Sequence, residues 1–277
     1  MVRRYVLIAS VSTHVFVKGG EMAESNVLKW DTMAKHFNAL KIPQWGEDSF
    51  LKCIKELPIW DGNAEVLDLG CGAGRFSIAM SDKAKHVLGS DISGKMIEFA
   101  NEKKKEYDRD NIDFVTENWA EIDLDERGYR KKFDLIIGHM TPAIRNVSDI
   151  KKINEACRGY CAMATFVERN SDLMKKLYEF LGIKDKKPDK RTIPEIFSYL
   201  YENEHMPEVT YYHRDDSKEI EDRQEAFEHL KNHIWAEPDD LPDDLDDKIN
   251  RFLEKHYING RLLNRVESTI VAIRWKA

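Results

Sequence analysis

From residue 27 onward, apolar positions recur at three- and four-residue intervals (Val27, Trp30, Met33, Ala34, Phe37). That spacing is the period of an amphipathic helix. A second helix is expected over residues 47–56, ended by Pro58 and the Asp61-Gly62 pair. The pattern then changes to short apolar runs at 65–69, 86–90, 112–115, 133–137 and 160–167, separated by helical stretches that begin at Arg75 and cover 94–107 and 148–156. Short runs of this kind suit strands covered on both faces, and their alternation with helices predicts a parallel sheet with right-handed crossovers. Beyond residue 170 the pattern predicts helices at 172–181, 193–203, 221–235 and 243–256, and strands at 208–213 and 266–275. No repeat or low-complexity linker interrupts the chain. Residues 22–277 are therefore expected to form one α/β domain, with N-terminal helices over 22–57 and a helical insert over 215–256.

Charge sharpens the picture of that insert. The 277-residue chain has a formal net charge of -7, yet residues 215–247 alone contain 14 acids and 3 bases. Outside them bases outnumber acids. Lys103-Lys104-Lys105 reads as a solvated helix face. No basic stripe with interleaved aromatics is present, so nucleic acid is not an expected partner. No apolar run reaches membrane-spanning length. Cys53, Cys71, Cys157 and Cys161 form no CxxC pair, which predicts reduced thiols and a cytoplasmic protein. Residues 1–21 stand apart. Arg3-Arg4 and the apolar stretch after them loosely resemble a short signal peptide, but Ser10, Ser12, Thr13 and His14 break it. The segment reads as a leader or disordered extension ahead of a start at Met22, or as an added strand.

The richest chemistry lies in residues 66–80, where a strand runs into Gly70-x-Gly72-x-Gly74 and then a helix. Glycines allow positive φ and let a ligand approach the backbone. The spacing is GxGxG, not the GxGxxG of dinucleotide folds. Asp68, two residues ahead of Gly70, would repel a pyrophosphate but suits a cation, through its own contacts or through water. Asp91 closes the next strand, where a carboxylate can accept both hydroxyls of a ribose.

These residues resemble the class I S-adenosylmethionine-dependent methyltransferases. The likeness also includes Ser90-Asp91-Ile92-Ser93, Met96-Ile97, Trp119-Ala120-Glu121 and Phe133-Asp134-Leu135-Ile136-Ile137, and extends from about Trp30 to Val167. Lys29-Trp30-Asp31-Thr32-Met33-Ala34-Lys35-His36-Phe37 is similar to an N-terminal helix of small-molecule members. The resemblance implies a Rossmann-like, seven-stranded, mostly parallel sheet whose last strand, over 266–275, is antiparallel. It implies S-adenosylmethionine as cofactor, held by Asp68, Gly70, Cys71, Gly72, Gly74, Asp91, Ile92 and Met96. Asn118, Trp119 and Ala120 stand where the family often has Asp-Ala beside the adenine amino group, so Asn118 or the backbone is left to make that bond.

The loop after the fourth strand, Gly138-His139-Met140-Thr141-Pro142, borders the methyl group in this family. It lacks the Asn-Pro-Pro-Tyr or Asp-Pro-Pro-Tyr of enzymes that methylate amino groups of bases or glutamine. His139 is a candidate base, or a loop residue that meets the cofactor through its backbone. Trp30, Phe37 and Thr141 are candidates for the acceptor side. The insert helices carry apolar stripes (Ala226, Leu230, Ile234, Trp235; Leu245, Ile249, Phe252, Leu253). They are expected to pack with the Trp30 helix as a lid, or else to be an acidic surface decoration. Glu225, His229 and His233 share a helix face at metal-ligand spacing, yet such rows are more often solvated, and no metal is expected. The expected reaction is methylation of a small molecule. Methylation of a protein or RNA, and cofactor binding without turnover, remain alternatives.

Overall fold

A computed structural model describes residues 21–185, 191–234, 236 and 240–277. The leader expectation for residues 1–21 lies outside them except for Glu21, and so does Trp235 of the first insert stripe. The seven expected strands are all present: β1 (Glu65–Leu69), β2 (His86–Asp91), β3 (Ile112–Thr116), β4 (Phe133–His139), β5 (Cys157–Ser171), β6 (Glu208–Asp215) and, last in the chain, β10 (Val266–Lys276). They form one sheet in the order β3-β2-β1-β4-β5-β10-β6. β1 pairs in parallel with β2 and β4, β2 with β3, and β4 with β5, while the last strand is antiparallel. The apolar runs are explained by burial. Val66, Leu67, Leu69, Leu135, Ile136 and Ile137 are all buried, because helices cover both faces of the sheet.

The crossover helices are α3 (Arg75–Ser81), α4 (Gly94–Glu106) and α5 (Val147–Ala156), preceded by α1 (Glu21–Asn38) and α2 (Ser49–Lys55). Local chemistry sets their starts. Asp48, Ser93 and Asn146 each accept backbone N–H groups of the first turn of α2, α4 and α5, satisfying donors that a helix leaves unpaired. The chain leaves β1 toward β2 and returns to β4 on the other side of β1. This reversal of strand order opens a crevice at the carboxyl ends of β1 and β4, where open α/β sheets bind ligands.

The described residues divide into two compact units: 21–165, 191–212 and 271–277 form one, and 166–185, 213–234, 236 and 240–270 the other. The second unit is larger than the insert expected at 215–256. Besides α8 (Arg223–Asn232) and α9 (Leu245–His256) it contains α6 (Asp172–Leu181) and a small antiparallel sheet of β7 (Lys218–Ile220), β8 (Tyr257–Ile258) and β9 (Arg261–Asn264), in the order β7-β9-β8, whereas α7 (Thr192–Glu202) belongs to the first unit. These strands of two to four residues are too short to show a periodicity, so the sequence pattern missed them. The apolar stripes of α8 and α9 close on Leu173, Leu177, Tyr178 and Leu181 of α6 and on Leu262 of β9. This corrects the expected partner. The stripes bury against their own unit's core, and Trp30 and Phe37 find theirs elsewhere. Of the Glu225, His229, His233 row, the two histidines have protein partners: His229 Nε2 lies 2.8 Å from Asn264 Nδ2, and His233 Nδ1 lies 2.7 Å from the His229 carbonyl. Among the described residues no group of three or more His, Cys, Asp or Glu side chains could hold a metal ion. Nor is any helix among them long and apolar enough to cross a membrane.

Candidate cofactor site and reaction centre

The glycine loop closes the crevice at the end of β1. Gly70, Gly72 and Gly74 all have positive φ (68°, 53° and 78°), but two of them meet different surroundings. A Cβ on Gly70 would stand 1.9 Å from Thr141 Oγ1. Gly70 is therefore required because the loop after β4 folds onto it. Gly72 is the opposite case: a Cβ there would meet only Met96 Sδ, at 3.9 Å. Its backbone borders open space, as a groove for a ligand requires.

The two carboxylates flank this loop in different ways. Asp91 Oδ2 accepts the Gly72 N–H and Oδ1 accepts the Ser93 N–H, both at 2.9 Å. Asp91 thus shapes the loop itself, and each oxygen keeps a lone pair for a further donor. Burial raises its pKa, against the lowering effect of those N–H bonds. Asp68 is 2% exposed, and its Oδ2 accepts the Ser77 hydroxyl at 2.6 Å. It braces the first turns of α3 against β1. Burial, opposed by the Ser77 bond, pushes its pKa up to about 6. Cys71 is buried in the same loop, and burial raises its thiol well above the usual range, which suits a small filler and not a nucleophile.

A third carboxylate was missed at the sequence level. Asp31 of α1 accepts the Ser93 hydroxyl at 2.5 Å and the Lys95 N–H at 3.2 Å. Ser93 is the N-cap of α4, and its oxygen also accepts the Met96 N–H at 3.0 Å. One helix therefore caps the N-terminus of another, where negative charge is favoured. Asp31 lies one backbone step, through Ser93, from the Asp91 carboxylate. Farther along, the Lys103 ammonium of α4 donates to the Asn38 carbonyl at the end of α1 at 2.9 Å, so α1 and α4 run side by side in the same direction. Between these anchors Trp30 and Phe37 pack with Ala34 on Ala73 of the glycine loop and on Met96. The signal for Asp31 was available: it is a charged residue set among the apolar positions of a helix stripe.

Ile92, expected to face adenine, is half-buried between Asp91 and Ser93. Asn118 spends its side chain locally. Oδ1 accepts the Ala120 N–H at 3.2 Å, and Nδ2 donates to Glu121 Oε1 at 2.8 Å. Trp119 is buried with its indole N–H unpartnered among the described residues. Lys152 fixes this turn, donating to the carbonyls of Trp119 and Ile122 at 2.6 and 2.5 Å.

At the end of β4, His139 pairs with Ala164 of β5. Met140 then adopts a left-handed φ of 54°, which turns the chain so that Thr141 covers Gly70. The half-buried His139 ring lies 4.2 Å from the Phe76 ring and 4.9 Å from the Phe50 ring, centroid to centroid. Neither phenylalanine was expected at the site. Both lie on helices read as scaffold, and only the fold brings them to the end of β4.

A family profile described as a methyltransferase domain matches residues 61–235, well over half of the chain. The chain belongs to the class I S-adenosylmethionine-dependent methyltransferases. Among named relatives of this methyltransferase, a demethylmenaquinone methyltransferase of Oceanobacillus iheyensis is 28% identical over 131 residues, 46% of this chain and 50% of that protein. An uncharacterised RNA methyltransferase of Clostridium tetani is 36% identical over 78 residues, 27% of this chain and 16% of that one. The matched stretches thus span half or less of those relatives' length. Two solved structures share the fold at 15% identity. They are the cyclase SpnF, with a TM-score of 0.51 over 92% of this chain and 96% of that one, and the YcgJ protein of Bacillus subtilis, with a TM-score of 0.50 over 81% and 96%. At that identity they show the fold alone.

The residues present fit the cofactor. Gly72 leaves its side of the loop open, Asp91 has acceptor capacity left for ribose hydroxyls, and Asp68 and Asp91 concentrate negative charge that suits a cation. When bound, S-adenosylmethionine supplies an activated methyl on a sulfonium. The protein's task is then to hold, align and exclude water.

Proposed function

We propose that this methyltransferase acts on a small molecule, and that Asp91, Gly72 and Met96 hold its S-adenosylmethionine with Asp68 buried behind them. The observation that carries the acceptor reading is α1. A helix bearing Trp30 and Phe37 lies directly on the glycine loop, tied to α4 by Asp31 and Lys103. A helix that covers the cofactor side in this way suits an acceptor small enough to pass beneath it. The partial likeness to a quinone-type methyltransferase supports the same reading. The short likeness to an RNA methyltransferase favours a second, RNA as acceptor, against the chain's net charge of -7. The test is release of S-adenosylhomocysteine by the purified chain with pooled metabolites, with total RNA and with unfolded protein as separate acceptors. Turnover with metabolites alone is expected. Turnover with RNA or protein alone would overturn the proposal.

We assign His139 to the wall of the acceptor side and not to proton transfer, because two phenylalanine rings hold its imidazole. His139→Phe should then keep kcat within about threefold. Loss of a general base costs about a hundredfold or more and removes one limb of the pH profile, and either result would restore the base.

A further inference from the structure

The second unit, apart from its acidic surface, contains a basic cluster that nothing so far explains. Arg169 of β5 and Arg214 of β6 both lie against the ring of Phe166, each guanidinium carbon 5.7 Å from its centroid. Arg214 is compensated by Asp216, with Nε 2.6 Å from Oδ1. That contact lacks hydrogen-bond alignment, since the buried Arg214 Nε makes no hydrogen bond among the described residues. The other Asp216 oxygen accepts the Ser268 hydroxyl at 3.2 Å. Arg169 is half-buried and makes no ion pair or hydrogen bond among the described residues. Its electrostatic neighbours are Asp216, Arg214 and Tyr178, and burial draws its pKa below the usual value.

Partial burial of an arginine that no carboxylate hydrogen-bonds costs free energy, which a bound anion would offset. Here the supply of acids is large, with 14 in residues 215–247, yet among the described residues none forms an ion pair with Arg169, and Asp216 acts on it only from a distance. We propose that Arg169 and Arg214, held against Phe166, form a binding site for the carboxylate of a small molecule, gripped by the fork of Arg169. Two guanidinium charges and the one carboxylate of Asp216 leave a single positive charge, which one carboxylate neutralises. A phosphate dianion would exceed it, close to Asp216. The planar fork matches carboxylate geometry with two parallel bonds, and Phe166 offers its ring to an apolar body attached to that carboxylate. The site is independent of the acceptor reading above, because occupancy is measured without turnover.

The probe is sodium benzoate, titrated into the full chain at constant ionic strength and followed by ligand-observed NMR, with inorganic phosphate as a second arm. Saturable benzoate binding is expected. Arg169→Met should weaken it roughly tenfold or more, the loss of a two-bond charged contact, while the thermal midpoint does not fall and affinity for S-adenosylhomocysteine stays unchanged. Should that variant fail to fold, Arg169→Lys keeps the charge without the fork and should still weaken benzoate. Benzoate affinity unchanged in either folded variant would overturn the site. Wild-type binding of phosphate in preference to benzoate, or of neither, would overturn it as well.

Discussion

Replacing Asp68 with asparagine should stabilise the unliganded protein at neutral pH and weaken its grip on S-adenosylmethionine. Asp68 is buried and holds its proton up to a pKa of about 6, against an ordinary 3.8. Between these values the folded chain carries a proton that the unfolded chain has released. Stability therefore falls as pH rises through the window, and the full deficit is present above pH 6. At 1.36 kcal/mol per pKa unit the deficit is about 3 kcal/mol, roughly half of it incurred between pH 5 and pH 7.5. An asparagine carbonyl can still accept the Ser77 hydroxyl, so the variant keeps the bond at 2.6 Å without the charge. Urea denaturation of wild type and Asp68→Asn across pH 5 to 7.5 should show the variant gaining on wild type by roughly 1–2 kcal/mol over that range. The same charge that costs stability favours the cationic cofactor. Calorimetry should show affinity for S-adenosylmethionine rising with pH through 6 in wild type, with proton release, and lower and flatter in the variant. Stability curves that run parallel across this range would refute the claim that a buried carboxylate charge sits behind the loop.

Three further outcomes follow from the same geometry. Asp31→Ala removes two hydrogen bonds to the start of α4 and should weaken S-adenosylhomocysteine binding by about 1–2 kcal/mol. Amide exchange should show α1 losing protection while the sheet keeps it; unchanged affinity and protection would refute the coupling of α1 to the Asp91 carboxylate. Gly70→Ala and Gly72→Ala should separate, although both adopt positive φ: the first collides with Thr141 and should lower the melting temperature, the second should cost only about 1 kcal/mol in stability and act mainly on cofactor affinity. Equal losses of stability would show that both glycines serve packing alone. Asp91→Ala should weaken the cofactor by roughly 1.5–3 kcal/mol and loosen the glycine loop, visible as faster exchange of the Gly72 amide; an unmoved affinity would remove Asp91 from the site.

Local chemistry was enough to place all seven strands of the main sheet and to single out Asp68, the glycine loop and Asp91. Those features depend on neighbours in sequence: apolar runs that must be covered, a turn that needs positive φ, a cap residue before a helix. The family likeness then supplied the cofactor. Tertiary structure decided what those residues touch. Asp91 meets Gly72 across nineteen positions of chain, and Asp31 meets Ser93 across sixty-two, so neither spacing announces a contact. The demand for glycine at position 70 comes from Thr141, which arrives only when β4 is laid beside β1. The apolar stripes of α8 and α9 were legible as surfaces needing cover, but an amphipathic face does not specify its partner. Here α6 and β9 provide it. Periodicity reports that a side chain will be buried; only the packed chain determines against what, and the aromatic surroundings of His139 and the stacking of Arg169 and Arg214 on Phe166 are consequences of that packing.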